Sequence, residues 1–382
     1  MVIIGKFKGN TSSRQRILCL GTILLSACFS YPNVVFAEEK PIPAEYKELP
    51  TFNVMELGAD PYGKKDSGPA FRKAAGSNRI IFVPPGKYRF SSTEKPPCCA
   101  YDPEAVLYSK MSNFLITGYG ATLIADDSIA LSGLLRVDQS KNFAIRGLSF
   151  RGSRKGLAPE KENGALGLTS VANFNVSDIQ IGHGFEGNGD GIGGDWWVNG
   201  TIDNVSMDGV GHCHDVAYLQ HVVFRHLRCR GQGPDGGSGM TGISFIEDPP
   251  NQKQNHTGVR IDSTNDVSIV DSKITNFDTA ALVSTGHHYS FSNNTWYDNR
   301  GSSRVLGIGI LIKTNPKYQG PPPHDIRIYD EFDRNTVAIK VDGQGGNSKR
   351  LIENVDIKAV FSENKKDVSL SGTFMRNVVN SD

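Results

Sequence analysis

Asn142-Phe-Ala-Ile-Arg-Gly-Leu-Ser-Phe150 returns as Asn173-Phe-Asn-Val-Ser-Asp-Ile-Gln-Ile181, and the same phrase punctuates most of this 382-residue chain. It stands again at Asn113-Phe-Leu-Ile-Thr-Gly-Tyr-Gly120, Asn199-Gly-Thr-Ile-Asp-Asn-Val-Ser-Met207 and His221-Val-Val-Phe-Arg-His-Leu-Arg-Cys229. Further copies are Asp266-Val-Ser-Ile-Val-Asp-Ser-Lys-Ile274 and His288-Tyr-Ser-Phe-Ser-Asn-Asn-Thr-Trp296, with looser ones at 324–332 and 349–357. The aligned apolar residues are Ile116, Ile145, Val176, Ile202, Phe224, Ile269, Phe291, Ile328 and Ile352. They fall 22 to 31 residues apart except for gaps of 45 and 37. The first gap, holding Gly242-Ile-Ser-Phe-Ile246, reads as two short periods; the second contains an insertion at 316–323.

Within each copy apolar residues alternate, which is the period of a strand. A second short alternating run precedes each copy, as in Leu135-Arg-Val137 and Ile339-Lys-Val341. One such coil cannot bury its own apolar face, whereas stacked coils share a continuous core. The expected fold is therefore all-β: a right-handed parallel β-helix of nine to eleven coils over 105–382. A β-sandwich does not explain a phrase recurring at this interval. Solenoid ends need covers, and Asp66-Ser67-Gly68-Pro69 followed by Ala70 to Ala75 and Gly76 predicts a short capping helix within an N-terminal lead-in at 38–104.

Residues 1–37 read as a signal peptide. Lys6, Lys8, Arg14 and Arg16 precede the apolar run Ile17 to Ala27, which is shorter than the roughly 20 residues of a membrane span. Two exits fit: cleavage after Val35-Phe36-Ala37, or a lipobox-like Leu25-Ser26-Ala27-Cys28 with lipid on Cys28. The expected location is secreted or periplasmic, or lipid-anchored through Cys28. The leader holds four of the 41 Lys and Arg and none of the 40 Asp and Glu, so losing it turns the formal charge from +1 to −3. No broad basic face is left for nucleic acid. Cys98, Cys99, Cys213 and Cys229 remain; Cys213 with Cys229 is the favoured disulfide, against a pair of buried thiols.

The stretches Phe52-Asn-Val-Met-Glu-Leu-Gly-Ala-Asp60, Asp66-Ser-Gly-Pro-Ala-Phe71 and Ile81-Phe-Val-Pro-Pro-Gly-Lys-Tyr88 resemble the N-terminal segment of the pectate lyase superfamily, which includes polygalacturonase-related proteins. The resemblance implies an extended polysaccharide bound along the flank of the solenoid. Polygalacturonases carry N-T-D, D-D, G-H-G and R-I-K motifs on successive coils. Asn188-Gly189-Asp190-Gly191-Ile192 is similar to the first, placing Asp190 at a catalytic carboxylate position. Cys213-His214-Asp215-Val216-Ala217 resembles the second, with Cys213 and His214 where that family has its Asp residues. Thr241 replaces the His of the third, and Leu311-Ile312-Lys313-Thr314 keeps the Lys of the fourth.

Neighbouring coils would bring Asp190 and the His212–Asp215 segment together, and such a cluster supplies proton donors and acceptors for glycosidic cleavage. The candidate catalytic residues are Asp190, His214 and Asp215, with Asp195, Trp196, Trp197, His212, Arg260 and Lys313 binding substrate. His212 and His214 alternate across Cys213 and are expected on one face. Of Trp196 and Trp197, one is expected in the core and one exposed for stacking on a sugar. Lys313 is a candidate partner for a uronate carboxylate, and Arg260 for a clamp or lyase base. No metal site is assigned, since no third ligand accompanies the two His residues. No cofactor is expected; calcium enters only under a lyase reading. Polygalacturonase-like hydrolysis is favoured. A polysaccharide lyase or uronate epimerase, or a non-catalytic β-helix that binds glycan or guides exopolysaccharide, is the alternative.

Overall fold

The computed structural model describes residues 40–94, 104–127, 133–152, 163–185, 189–232, 241–247, 263–301, 307–314, 320–344, 351–373 and 375–380. The chain divides into Met1–Phe36 and Ala37–Asp382, of which the first lies outside the described residues, as do Cys28, Cys98, Cys99 and Arg260.

Alternation lets each strand put one set of side chains inward, and parallel pairing between coils satisfies the backbone. The result is a right-handed parallel β-helix, as the repeat predicts. Three sheets run along it. The first includes Gly133–Asp138, Asn163–Thr169, the start of Gly189–Val210, the start of His214–Arg225, Thr241–Phe245, Thr279–Val283, Ile308–Lys313 and Val337–Asp342. The nine-residue phrase builds the second and third sheets, with its first half in one and its second half in the other.

In the second sheet Ile116, Ile145, Val176, Ile202, Phe224, Ile269, Phe291 and Ile328 lie in one register, and all are almost fully buried. The row continues at Ile357, not at Ile352, so the last copy of the phrase begins at Asn354. Phe224 pairs directly with Ile269, so the 45-residue gap is one coil carrying an insertion rather than two short coils. Phe114, Phe143 and Phe174 stack at 5.0 and 5.7 Å. Each such buried side chain contributes about 1.5–3 kcal/mol, which only stacking makes available.

The first residue of the phrase turns the corner. Asn78, Asn113, Asn142, Asn173, Asn199, His221, Asp266, His288, Asp325, Asn354 and Asn377 all have φ between 51° and 56°. This left-handed region suits Asn and Asp, whose short polar side chains bond locally. The Asn amides bond from coil to coil, Asn173 to Asn142 at 2.9 Å and Asn199 to Asn173 at 3.0 Å.

The capping helix α1 is Gly68–Ala74, with Ser67 as N-cap and Pro69 in its first turn, where the missing N–H costs nothing. Phe71 drives it onto the end of the core against Tyr88 and Phe90. Parallel pairing already runs through Thr51–Asn53 and Tyr62–Asp66, inside the lead-in. The segment before it straps the second sheet: Tyr46 is buried on Ile80, Leu115 and Ala144, and Arg146 donates to the carbonyls of Lys40 and Pro41. Cys213 and Cys229 are unbonded thiols in the interior, not a disulfide; burial pushes the Cys213 thiol up.

Candidate active site on the first sheet

Gly189–Val210 and the following strand are joined around Asp190 by a tight rung. Gly191 N donates to His212 O at 2.8 Å, and His212 N donates to Gly189 O at 2.9 Å. Asp190 and His212 are thereby bridged in parallel on adjacent coils. Both side chains are half-buried, and His212 Nδ1 has no hydrogen-bond partner among the described residues.

The same register sets Gly194 against Val216, so Gly193 faces Asp215 one strand spacing away, about 4.8 Å. Gly193 leaves room for a carboxylate. A methyl there would meet Asp190 Oδ2 at 2.9 Å and the Asp215 carbonyl oxygen at 3.2 Å. Asp190 thus folds over Gly193, the residue beside the Asp215 backbone, and the Asp215 side chain is half-buried on the outer side of its strand. Glycines at 189, 191 and 193 have a physical role here: Gly191 faces inward, where a methyl would collide with Met207 Sδ at 2.1 Å.

His214 is not part of this outer cluster. It lies in the inward row with Ile243, Ala281 and Ile310, is completely buried, and packs its ring 4.9 Å from Phe224. Its Nδ1 is 3.1 Å from Ile192 O, and burial lowers its pKa to about 3. The ring is therefore neutral near pH 7, and the expectation of a flank histidine holding a proton near neutrality is corrected. Cys213 between the two histidines is also interior, so a simple strand alternation does not apply at this corner.

Asp195 lies further along the same strand, half-buried, in register with Ala217. The two tryptophans depart from the expectation that one is exposed. Trp197 is core, donating Nε1–H to Leu168 O at 2.8 Å. Trp196 turns the corner at φ 58° and stacks on Tyr218, centroids 5.2 Å apart, leaving 4 % of its surface exposed. Neither ring is open for a sugar.

Lys313 ends Ile308–Lys313. The register through Val216, Phe245, Val283 and Ile312 places it on the row of Asp195, four coils away, about 19 Å. Burial lowers the pKa of its amine, and the Asp342 carboxylate partly opposes this. Arg260 and most of the insertions at 231–240 and 248–258 lie outside the described residues. Among the described residues no three His, Cys, Asp or Glu side chains are arranged to hold a metal ion.

One further set of titratable side chains lies outside the residues expected from the motifs. His221, Asp266, His288 and Asp325 succeed one another at the phrase-initial corner of the second sheet, on a different face from Asp190. Their signal is the change from Asn to alternating His and Asp as first residue of the repeat.

No protein-family model and no curated protein sequence matches the chain. Solved structures do match. The catalytic unit of the thermostable GH87 α-1,3-glucanase from Streptomyces thermodiastaticus strain HF3-3 is 16 % identical with a TM-score of 0.59, covering 88 % of this chain and 57 % of that one. This chain therefore spans little more than half of that unit. The family 28 exopolygalacturonase of Yersinia enterocolitica is 11 % identical, TM-score 0.57, over 88 % of this chain and 79 % of that one. The alginate lyase of Paenibacillus sp. strain FPU-7 is 11 % identical, TM-score 0.50, over 81 % and 97 %. At these identities the likeness concerns architecture alone, and the architecture is the right-handed parallel β-helix.

Proposed function

We propose that this chain hydrolyses glycosidic bonds of an extended, acidic polysaccharide lying along the outer face of the first sheet. The observation that carries this is the Asp190 carboxylate folded over Gly193, the residue whose backbone lies one strand spacing from Asp215. Two carboxyls flanking a glycosidic bond divide the work of hydrolysis, one serving the glycosidic oxygen as acid while the other takes a proton from the attacking water. His212 flanks the pair, and Lys313 further along the face meets a uronate carboxylate. The solved structures of like architecture include enzymes named as acting on glucan, polygalacturonate and alginate, which supports a polysaccharide as substrate.

The test incubates the protein with polygalacturonate, alginate and α-1,3-glucan and reads reducing ends together with ultraviolet absorbance. New reducing ends without an unsaturated product are expected. Both signals together would replace hydrolysis by elimination. Neither signal, with polymer still bound, would leave a glycan-binding or guiding β-helix.

One observation favours elimination as second reading: the half-buried Lys313 amine, with its pKa lowered by burial, is a candidate base for a proton beside a carboxylate. Export belongs to the proposal as well. A protein maturing at Glu38, or anchored through lipid on Cys28, meets polymers that do not cross membranes. N-terminal analysis and intact mass of the native protein read the exit used, and Met1 retained on cytoplasmic protein would overturn export.

A further inference from the structure

The corner ladder of the second sheet changes character in mid-solenoid. Before and after this point Asn bonds to Asn from coil to coil, which meets the demands of the left-handed corner. Over four successive coils the ladder becomes His221, Asp266, His288 and Asp325. The contacts lengthen: His221 Nδ1 to Asp266 at 3.2 Å, His288 Nδ1 to Asp266 at 3.3 Å, and His288 Nε2 to Asp325 at 3.6 Å. Their side chains are 36–54 % exposed. Asn turns the same corner in the flanking coils, so the left-handed backbone does not demand the exchange.

A groove of about 970 Å³ is lined by three of these four residues, Asp266, His288 and Asp325. Its floor is kept low by Ser268 and Ser290, which lie side by side on adjacent coils, and its far end is formed by Arg327, Asp356 and Lys358. Tyr329, 39 % exposed, stands next to that end with its hydroxyl donating to Asp356 at 2.8 Å and the Lys358 ammonium 5.6 Å from its ring. The N-terminal strap covers the opposite end of this sheet around Leu115 and Ala144 and leaves the groove open. Donors and acceptors here repeat at one coil, about 4.8 Å, a spacing comparable with the advance of one ring in an extended sugar chain. The fixed charges nearly balance, Arg327 and Lys358 against Asp266, Asp325 and Asp356, so the lining suits hydroxyl groups better than a polyanion.

We propose that this groove is a second glycan site, which binds an uncharged, hydroxyl-rich polysaccharide strand along the solenoid axis, apart from the Asp190–Asp215 face. It does not depend on the reaction at that face. Asp266, His288 and Asp325 grip vicinal hydroxyls and Tyr329 presents an apolar ring to the sugar at the groove's end.

The decisive variant restores the common ladder where it lines the groove: Asp266→Asn, His288→Asn and Asp325→Asn together. Because Asn occupies this corner in the flanking coils, an unchanged melting temperature is expected. Wild type, this variant and Asp190→Asn are run in native gels containing hydroxyethylcellulose, galactomannan or polygalacturonate. Retardation of wild type and Asp190→Asn by a neutral polymer is expected, with the apparent dissociation constant at least tenfold weaker for the ladder variant. The site is overturned if neither neutral polymer retards the wild type, if only polygalacturonate does, or if the ladder variant is retarded as strongly. Should the ladder variant unfold, the single change His288→Asn gives the same reading.

Discussion

Asp190 Oδ2 sits 2.9 Å from the point where a methyl on Gly193 would be, and that bare backbone is what lets the carboxylate lie over Gly193, beside the Asp215 strand. Gly193 is thus a positioning residue. Asp190→Asn and Asp215→Asn are each expected to lower kcat at least a hundredfold, as the loss of an acid or base does. Gly193→Ala is expected to lower kcat about tenfold, or about 1.4 kcal/mol of barrier, with KM little changed, because it displaces the carboxylate without removing it. Equal kcat for wild type and Gly193→Ala on a turned-over polymer would separate Asp190 from the reaction.

His214 gives the fold an acid-sensitive point. Its pKa is about 3 in the folded protein against 6.5 for a free ring, so between these values the unfolded chain binds the extra proton. Stability is therefore full above pH 6.5 and is lost as pH falls toward 3, a change on the order of a few kcal/mol. His287, lowered first by burial and then by His324 and His288, acts in the same direction. His214→Gln keeps a donor for Ile192 O and does not titrate. Its melting temperature is expected to fall less than the wild type's between pH 6.5 and 4.5, with the pH profile of kcat unmoved. A shifted kcat profile would return His214 to the active site.

The solenoid was legible because its period is written in side chains that must face inward, from Ile116 to Phe291, and no other fold stacks them. The last rung was misplaced, Ile352 for Ile357, where the phrase had decayed and either apolar residue fits an alternating run. The site was legible in part. Asp190 and Asp215 share a face because parallel register carries residues one coil apart to adjacent strands. His214 was not legible, since corners with glycine and bridged single residues break the two-residue alternation that assigned its face. Trp196 failed for the same reason: its left-handed φ turns it onto Tyr218, a contact that no pairwise spacing reveals.

Asp330 opposes His214. Its carboxyl accepts from Trp296 Nε1 at 2.7 Å and from Asn294 N at 2.9 Å, yet burial raises its pKa to about 6. Between 3.8 and 6 the folded state holds the extra proton, so stability falls as pH rises through that window, by about 3 kcal/mol at most. Asp330→Asn removes this opposing slope. Its melting temperature is expected to be lower overall, since an amide sets a donor among donors, and to drop more steeply than wild type from pH 6 to 4. A shallower acid drop in calorimetry would show that Asp330 is already ionised in that range.

Lys313 distinguishes the two chemistries proposed for the first sheet. It lies four coils from Asp195 on the same row, too far to serve the atoms at Asp190 but within a bound chain of several sugars. If its ammonium holds a uronate carboxylate, Lys313→Met raises KM for polygalacturonate about tenfold and leaves kcat and the products as they were. If its amine is the base of an elimination, the same change removes a group with a pKa lowered by burial. Then kcat falls a hundredfold or more, and the rising limb of the pH profile, which the deprotonation of a base sets, is lost with it. Lys313→Arg adds a second reading. Arginine keeps the charge and the carboxylate contact but does not deprotonate near neutrality, so it rescues the first role and not the second. Rescue of KM by Lys313→Arg, with the kcat profile unmoved in both variants, is the result expected for hydrolysis.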